Sequence, residues 1–350
     1  MIDSSHDGLS KYQMASDRGE EIRQTDRVCR ESCQDRGQHL IARSSSKKCT
    51  FSKFRMQIGR EFGIRVAGIS ITVLMLGAWV IAQTSPEELV RSTVQNELKT
   101  DSTKFMFRER KESEHGSQTK LMVQTKDAMA GMLIEVDDKQ IGSDQRLEEE
   151  ARLRHIASDS ETLHRKQKQE KEDSGRAAQI MRALPEAFLY ERDGTEVGTQ
   201  GVGKAGDALA RLKFRPNPKY SPPSRTEQVL TGMHGYMLID EKTRRLAKID
   251  GTLFKDVGFG WGILGHLDRG GRFIVMQGEI APGHWDITNM DLNFTGKVLL
   301  LKSLKIKTKE TYSDFQAVPP DLTFAQGIDL LKKQMMTLSG QTQAENKVAR

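Results

Sequence analysis

The residues of this chain best suited to metal or proton chemistry are His234, His266 and His284, together with Asp240 and Asp268. A zinc or hydrolytic site made from His266, Asp268 and His284 would draw its ligands from separate elements, because no H-x-x-x-H or similar spacing places two of them on one element. Isolated histidines more often satisfy local hydrogen bonds. No Gly-x-Ser-x-Gly elbow, Ser-x-x-Lys pair or HExxH helix occurs. Residues 198–205 read GTQGVGKA, close to a phosphate-cradling loop, but Ala205 stands where a hydroxyl would hold magnesium and no hydrophobic parallel strand precedes it. A surface loop accounts for these glycines. Cys29, Cys33 and Cys49 all lie far upstream, and no second pair at zinc-ligand spacing follows the C-x3-C of the first two. The residues point to a non-enzymatic binding protein with no cofactor and no metal.

Residues 258–271, GFGWGILGHLDRGG, are the most unusual stretch of the chain's second half. Phe259, Trp261, Ile263 and Leu264, with glycine between them, could form a mobile lip over an apolar pocket or at a membrane surface. The plainer reading is that they fill the core of a tight strand connection. With Trp285 they make up the candidate ligand-binding set.

These residues must be positioned by a sheet. From Glu227 to Lys309 the pattern is strand after strand: 229–239, 246–254, 272–280, 285–294 and 298–307, separated by short polar or glycine-containing turns, including Thr295-Gly296-Lys297. Short connections make neighbours antiparallel. Alternation in Lys248–Leu253 and Ser303–Lys307 predicts one wet face and one buried face. Upstream, Phe105 and Phe107, Leu121 and Val123, and Leu133, Ile134 and Val136 predict three more strands after a helix capped by Ser85-Pro86. Residues 144–176 carry 17 charged side chains among 33, with acid-first i,i+4 pairs such as Glu148 with Arg152. This reads as a solvated helix or helical hairpin, either laid along its own domain or used as a partner-binding arm. Its seam thickens at Ile180, Met181, Leu184 and Phe188, and the end should dock on the core. The prolines at 216, 218, 222 and 223 predict an extended connection, and an amphipathic helix with Phe324, Ile328 and Leu331 closes the chain.

The run from Val66 to Pro86 is uncharged, follows Arg55, Arg60 and Arg65, and contains a Val80-Ile81-Ala82 triplet. It reads as a signal peptide, or as a transmembrane anchor through residues 66–82 if uncleaved, since about 20 apolar residues span a bilayer. Either reading exports the remainder, to the periplasm or outside, or tethered to the inner membrane. The expected divisions are an N-terminal extension at 1–55, disordered or upstream of a start at Met56; a signal or anchor at 56–82; an exported domain at 83–335 with a charged insertion at 143–188; and a flexible tail at 336–350. The formal charge of +6 resides mostly upstream, because 13 Lys+Arg and 9 Asp+Glu precede residue 66 and leave 41 against 39. That balance, without a basic face, excludes a nucleic-acid partner.

Gly235–Asp240 (GYMLID) followed by Arg245–Gly251 (RLAKIDG) resembles a hairpin of the periplasmic lipoprotein-carrier superfamily, the LolA/LolB-like proteins, and Trp285–Thr288 with Gly296-Lys297 resembles the strands that come next there. The segments Phe214–Pro218, Gly265–Asp268, Pro282–Trp285 and Ser313–Phe315 are similar to an uncharacterised family of secreted bacterial proteins, which brings no activity with it. The superfamily resemblance implies an α+β fold: a curved antiparallel sheet, an open half-barrel, with helices packed on its concave face, here with a long charged helical insertion. It implies an envelope protein that holds a hydrophobic or lipidic ligand in the groove. The alternative is a protein–protein interaction module of the envelope that docks a partner through 144–176 and takes no small ligand.

Overall fold

The computed structural model describes residues 84–99, 102–259, 265–298 and 302–348. The extension at 1–55 and the signal or anchor at 56–82 lie outside the described residues, among which no helix is long and apolar enough to cross a membrane.

Helix α1 (Pro86–Glu97) starts as its sequence dictates. The Ser85 hydroxyl accepts the Glu88 N–H at 3.2 Å, and Pro86 occupies the first helical position. Strands β1 (Lys104–Ser113), β2 (Gly116–Gln124), β3 (Met129–Val136) and the short β4 (Lys139–Gln140) follow as an antiparallel meander. The charged segment then forms two helices, α2 (Ser143–Ser158) and α3 (Ser160–Ala187). They part at Asp159, whose side chain accepts the Glu161 N–H at 3.1 Å and so caps α3. Helix α3 runs through Pro185 and ends two residues later.

Strands β5 (Phe188–Val197) and β6 (Ala208–Pro216) occupy a region read from sequence as helix end, glycine-rich loop and proline-rich connection. Charge hid β5. Its Glu191, Arg192 and Asp193 belong to an edge strand, where Glu191 is exposed, Arg192 pairs with Glu241 and Asp193 pairs with Lys213 at 2.7 Å. A short helix α4 (Arg225–Gln228) and a 3₁₀ turn lead into β7 (Met233–Asp240) and β8 (Arg245–Leu253). The side chain of Asp240 shapes the turn between them by accepting the N–H groups of Lys242 and Thr243, both at 2.9 Å. Short strands β9 (Val257–Phe259) and β10 (Gly265–Leu267) precede the long β11 (Arg272–Ala281), β12 (His284–Val298) and β13 (Lys302–Val318), and α5 (Phe324–Val348) closes the described chain.

All named pairings are antiparallel, and the path across the sheet is β4-β3-β2-β1-β13-β12-β11-β8-β7-β6-β5. The pairing of β1 with β13 joins the N-terminal meander to the C-terminal one. The sheet does not close into a barrel, so the expected α+β architecture with an open antiparallel sheet holds. One expected turn does not: Thr295-Gly296-Lys297 lies inside β12. Gly296 is there because strands approach closely, since a Cβ at that position would sit 2.2 Å from the His266 carbonyl oxygen of β10.

Directly opposed residues share a face. Met237, Ile249, Val275, Met290, Glu310 and Lys111 form one such line, called here the inner face. Leu238, Lys248, Met276, Asn289, Thr311 and Arg110 form the adjacent line on the outer face. Helix α1 and the last turns of α3 pack on the inner face of β5 to β8, burying Leu89, Val94, Leu184, Leu212 and Met237 in one core. Helices α2 and α5 form a second core with Met106, Val123 and Met132 on the outer side of β1 to β3. On the outer side of β6 to β8 a small third core buries Leu209, Leu238 and Ala247 against Val202, Tyr236 and Trp285, and charged pairs lie beside it. Arg211 stacks 3.7 Å over Tyr236, and Arg272 pairs with Asp250 at 2.8 Å.

Candidate functional site

The middle of the inner face, across β11, β12, β13 and β1, lies between the two helix-covered wings. Phe273, Val275, Met290, Leu292, Leu304 and Ile306 point there and remain half-buried, whereas the apolar residues under α1 and α3 are fully buried. Side chains from distant parts of the sequence thus form one half-buried apolar stripe, termed the trough below. Phe105, Phe107 and Phe315 carry it across β1: Phe107 stacks on Phe315 with ring centres 5.3 Å apart, and Phe105 meets Phe315 edge-on at 6.4 Å. A bulge helps to place Phe315, for the register between β1 and β13 shifts beside Asp314, whose φ is +58°.

A polar group interrupts this floor. The Tyr312 hydroxyl donates to Glu310 at 2.6 Å, and Lys111 pairs with the same carboxylate at 2.8 Å. Burial, then the hydrogen bond to Glu310 and the nearby carboxylates, push the Tyr312 hydroxyl well above its ordinary pKa. Burial likewise raises Glu109, an effect that Lys120 opposes.

At the end where β1 and β12 begin and β2 ends, the structure holds a cavity of about 340 Å³. Lys104, Phe105, Asp127, Glu170, His284, Trp285 and Asp286 are among its walls. Phe105 and His284 meet edge-on at 5.7 Å. Glu170 of α3 is fixed by the Met129 N–H at 3.0 Å, and Asp127 caps α5 by accepting the Phe324 N–H at 2.9 Å. Burial raises the pKa of Asp286, while the Ile287 N–H and the charge of Arg245 work against it.

Of the residues singled out from sequence, Trp285 lines this cavity. Trp261, Ile263 and Leu264 lie outside the described residues, and of Phe259 only its backbone in β9 is described. Phe259 pairs with Gly265, which pairs in turn with Val298 at the far end of β12 from Trp285. Thirteen residues of strand separate Trp285 from that end, about 40 Å at roughly 3.3 Å per residue. His266 and His284 are separated in the same way. His266 sits 3.1 Å from Asp268 opposite Lys297, and His284 starts β12, so no three-ligand site forms from them. The glycine-rich loop at 198–205 folds across the outer face, where the Gly203 N–H is spent on the Gln277 carbonyl at 2.7 Å and Lys204 pairs with Glu279 at 3.0 Å. It has no cradle to offer a phosphate.

The charged segment lies along its own sheet. Glu149 accepts the Leu133 N–H at 2.9 Å, Arg152 donates to the Gly131 carbonyl at 3.0 Å, and Leu153 is buried. The cavity residues Lys104, Asp127, Glu170 and Asp286 escaped sequence reading because they come from a strand start, a turn, a helix middle and another strand start.

No family model and no curated protein matches the chain. Among solved structures it is similar to the crystal structure of a domain described as outer membrane lipoprotein-sorting, from Vibrio parahaemolyticus. Identity is 10%, the TM-score is 0.29, and the match covers 70% of this chain and 97% of that one. The ligand class is a matter for the geometry of this chain's own trough.

Proposed function

We propose that this protein is a non-enzymatic envelope protein that binds an apolar or lipidic ligand along the inner face of its open sheet. The observation that carries the proposal is the half-buried apolar stripe of Leu292, Phe294 and Ile306 on the inner face, bordered on one side by the packed core under α1 and α3 and on the other by Phe107 and Phe315. Sites for apolar ligands are lined mainly by hydrophobic and aromatic side chains with few polar groups, as this stripe is. Each methylene of a ligand taken out of water there contributes about 0.8 kcal/mol. The envelope location is supported by the uncharged run at 66–86 behind its basic flank.

The test is to express the chain with its own apolar segment, purify it natively, and analyse an organic extract by mass spectrometry beside the intact mass. Stoichiometric lipid that disappears in Leu292→Glu, a variant that puts a charge into the trough, supports the proposal. A lipid-free protein that also fails to take up a fluorescent fatty acid refutes it.

A further inference from the structure

The cavity at the end of the trough has a chemistry of its own. Three carboxylates, Asp127, Glu170 and Asp286, line it beside the ammonium group of Lys104, and the rings of Phe105, His284 and Trp285 are among its walls; Glu170 also pairs with Lys166 at 3.0 Å, which leaves Asp286 as the acid most open to a further cation. Carboxylates combined with aromatic faces are the surroundings that stabilise an organic cation, through charge and through the negative face of the ring. We propose that this cavity binds an organic ammonium group, carried either by the head of an amine-bearing lipid or by a free small amine. The lipid form rests on the trough reading above.

Four features favour that occupant. Asp286 is a carboxylate that burial penalises in its charged form, and a cation beside it would lift the penalty. Arg245 lies 5.9 Å from the centre of the Trp285 ring but is held by Glu97 at 3.0 Å. Phe105 is a shared wall, touching His284 on the cavity side and Phe315 on the trough side, so a head group in the cavity leaves acyl chains pointing along the stripe. The volume, about 340 Å³, is at the small end of the range for ligand pockets, of a size for a head group rather than a whole lipid.

The experiment uses the full chain in a neutral maltoside detergent. It compares short-chain phosphatidylcholine, phosphatidylethanolamine and phosphatidylglycerol with identical acyl chains, and separately titrates tetramethylammonium and ethanolamine, reading tryptophan emission and calorimetry. The expected result is about ten-fold tighter binding of the two amine lipids than of phosphatidylglycerol. Asp286→Asn should abolish that preference and leave phosphatidylglycerol binding unchanged. Glu170→Gln, which keeps an acceptor for the Met129 N–H, is the second variant and should weaken the preference in a chain whose melting is unaltered. Binding of the free amines that needs Asp286, without lipid binding, supports a small amine as the occupant and removes the trough reading alone. Equal binding of all three lipids, indifferent to Asp286→Asn, overturns the ammonium site and leaves the trough standing. Binding of none of these probes overturns both.

Discussion

Three acids of the helix–sheet assembly are held toward the neutral form by burial. Burial raises the pKa of Glu97, Glu109 and Asp286. Folding therefore favours the protonated form of each, and their contribution to stability is full at low pH and lost as pH rises through their folded values. Glu149 has the opposite sign. Burial pushes it up, but the Arg152 hydrogen bond and charge with the Leu133 N–H hold it below the ordinary carboxylate range, so its contribution disappears as pH falls. Glu109→Gln should therefore raise the melting temperature at pH 8 and leave it unchanged at pH 4. A shift of equal size at both values would count against burial as the cause. At Tyr312, replacement by Phe removes a donor from buried Glu310, at a cost of about 1–3 kcal/mol in a denaturant titration.

At the scale of elements, two joints decide how the sheet and helices meet. Gly296 lets β10 approach β12, with the His266 carbonyl where a side chain would be. Gly296→Ala should cost about 1–3 kcal/mol by overpacking, measured by urea unfolding, and a neutral result would mean that β10 can shift without loss. Helix α5 is fixed at its start by a reciprocal cap, Thr323 accepting the Gln326 N–H at 3.2 Å and Gln326 accepting the Thr323 N–H at 2.8 Å. Asp127 then takes the Phe324 N–H, tying the helix to the β2–β3 turn that also borders the cavity. Phe324, Ile328 and Leu331, spaced four and three apart, are the stripe the sequence displays, and all three are buried.

At the scale of the whole molecule, the two larger of three cores lie on opposite faces of one sheet. Leu331 is fully buried in the core of α2, α5 and β1 to β3. Leu331→Ala should cost about 2–5 kcal/mol. Because that core lies across the sheet from the one under α1 and α3, hydrogen exchange should quicken in β1 to β3 while β6 to β8 keep their protection. Uniform loss of protection would show instead that the central strands couple the wings into a single cooperative unit.

Local signals in the chain determined a good deal of this. Period-two alternation in β8 and β13, the Ser85-Pro86 cap and the Asp240 turn each depend on neighbours a few residues away, so they are legible in sequence. The same holds for the wet, charged character of 144–176, though its division at Asp159 depends on a single cap. Strands β5 and β6 were not legible, because an edge strand tolerates charge and its partner is recognised only through pairing with β7. Only the tertiary structure decided which ends meet. The β1–β13 ladder pairs residues more than 190 positions apart, as in Lys104 with Val318, and so brings Phe105, Asp127, Glu170 and Asp286 to one cavity. Burial of such groups is a property of the assembled sheet, since periodicity reports which face a side chain takes but not what lies across from it.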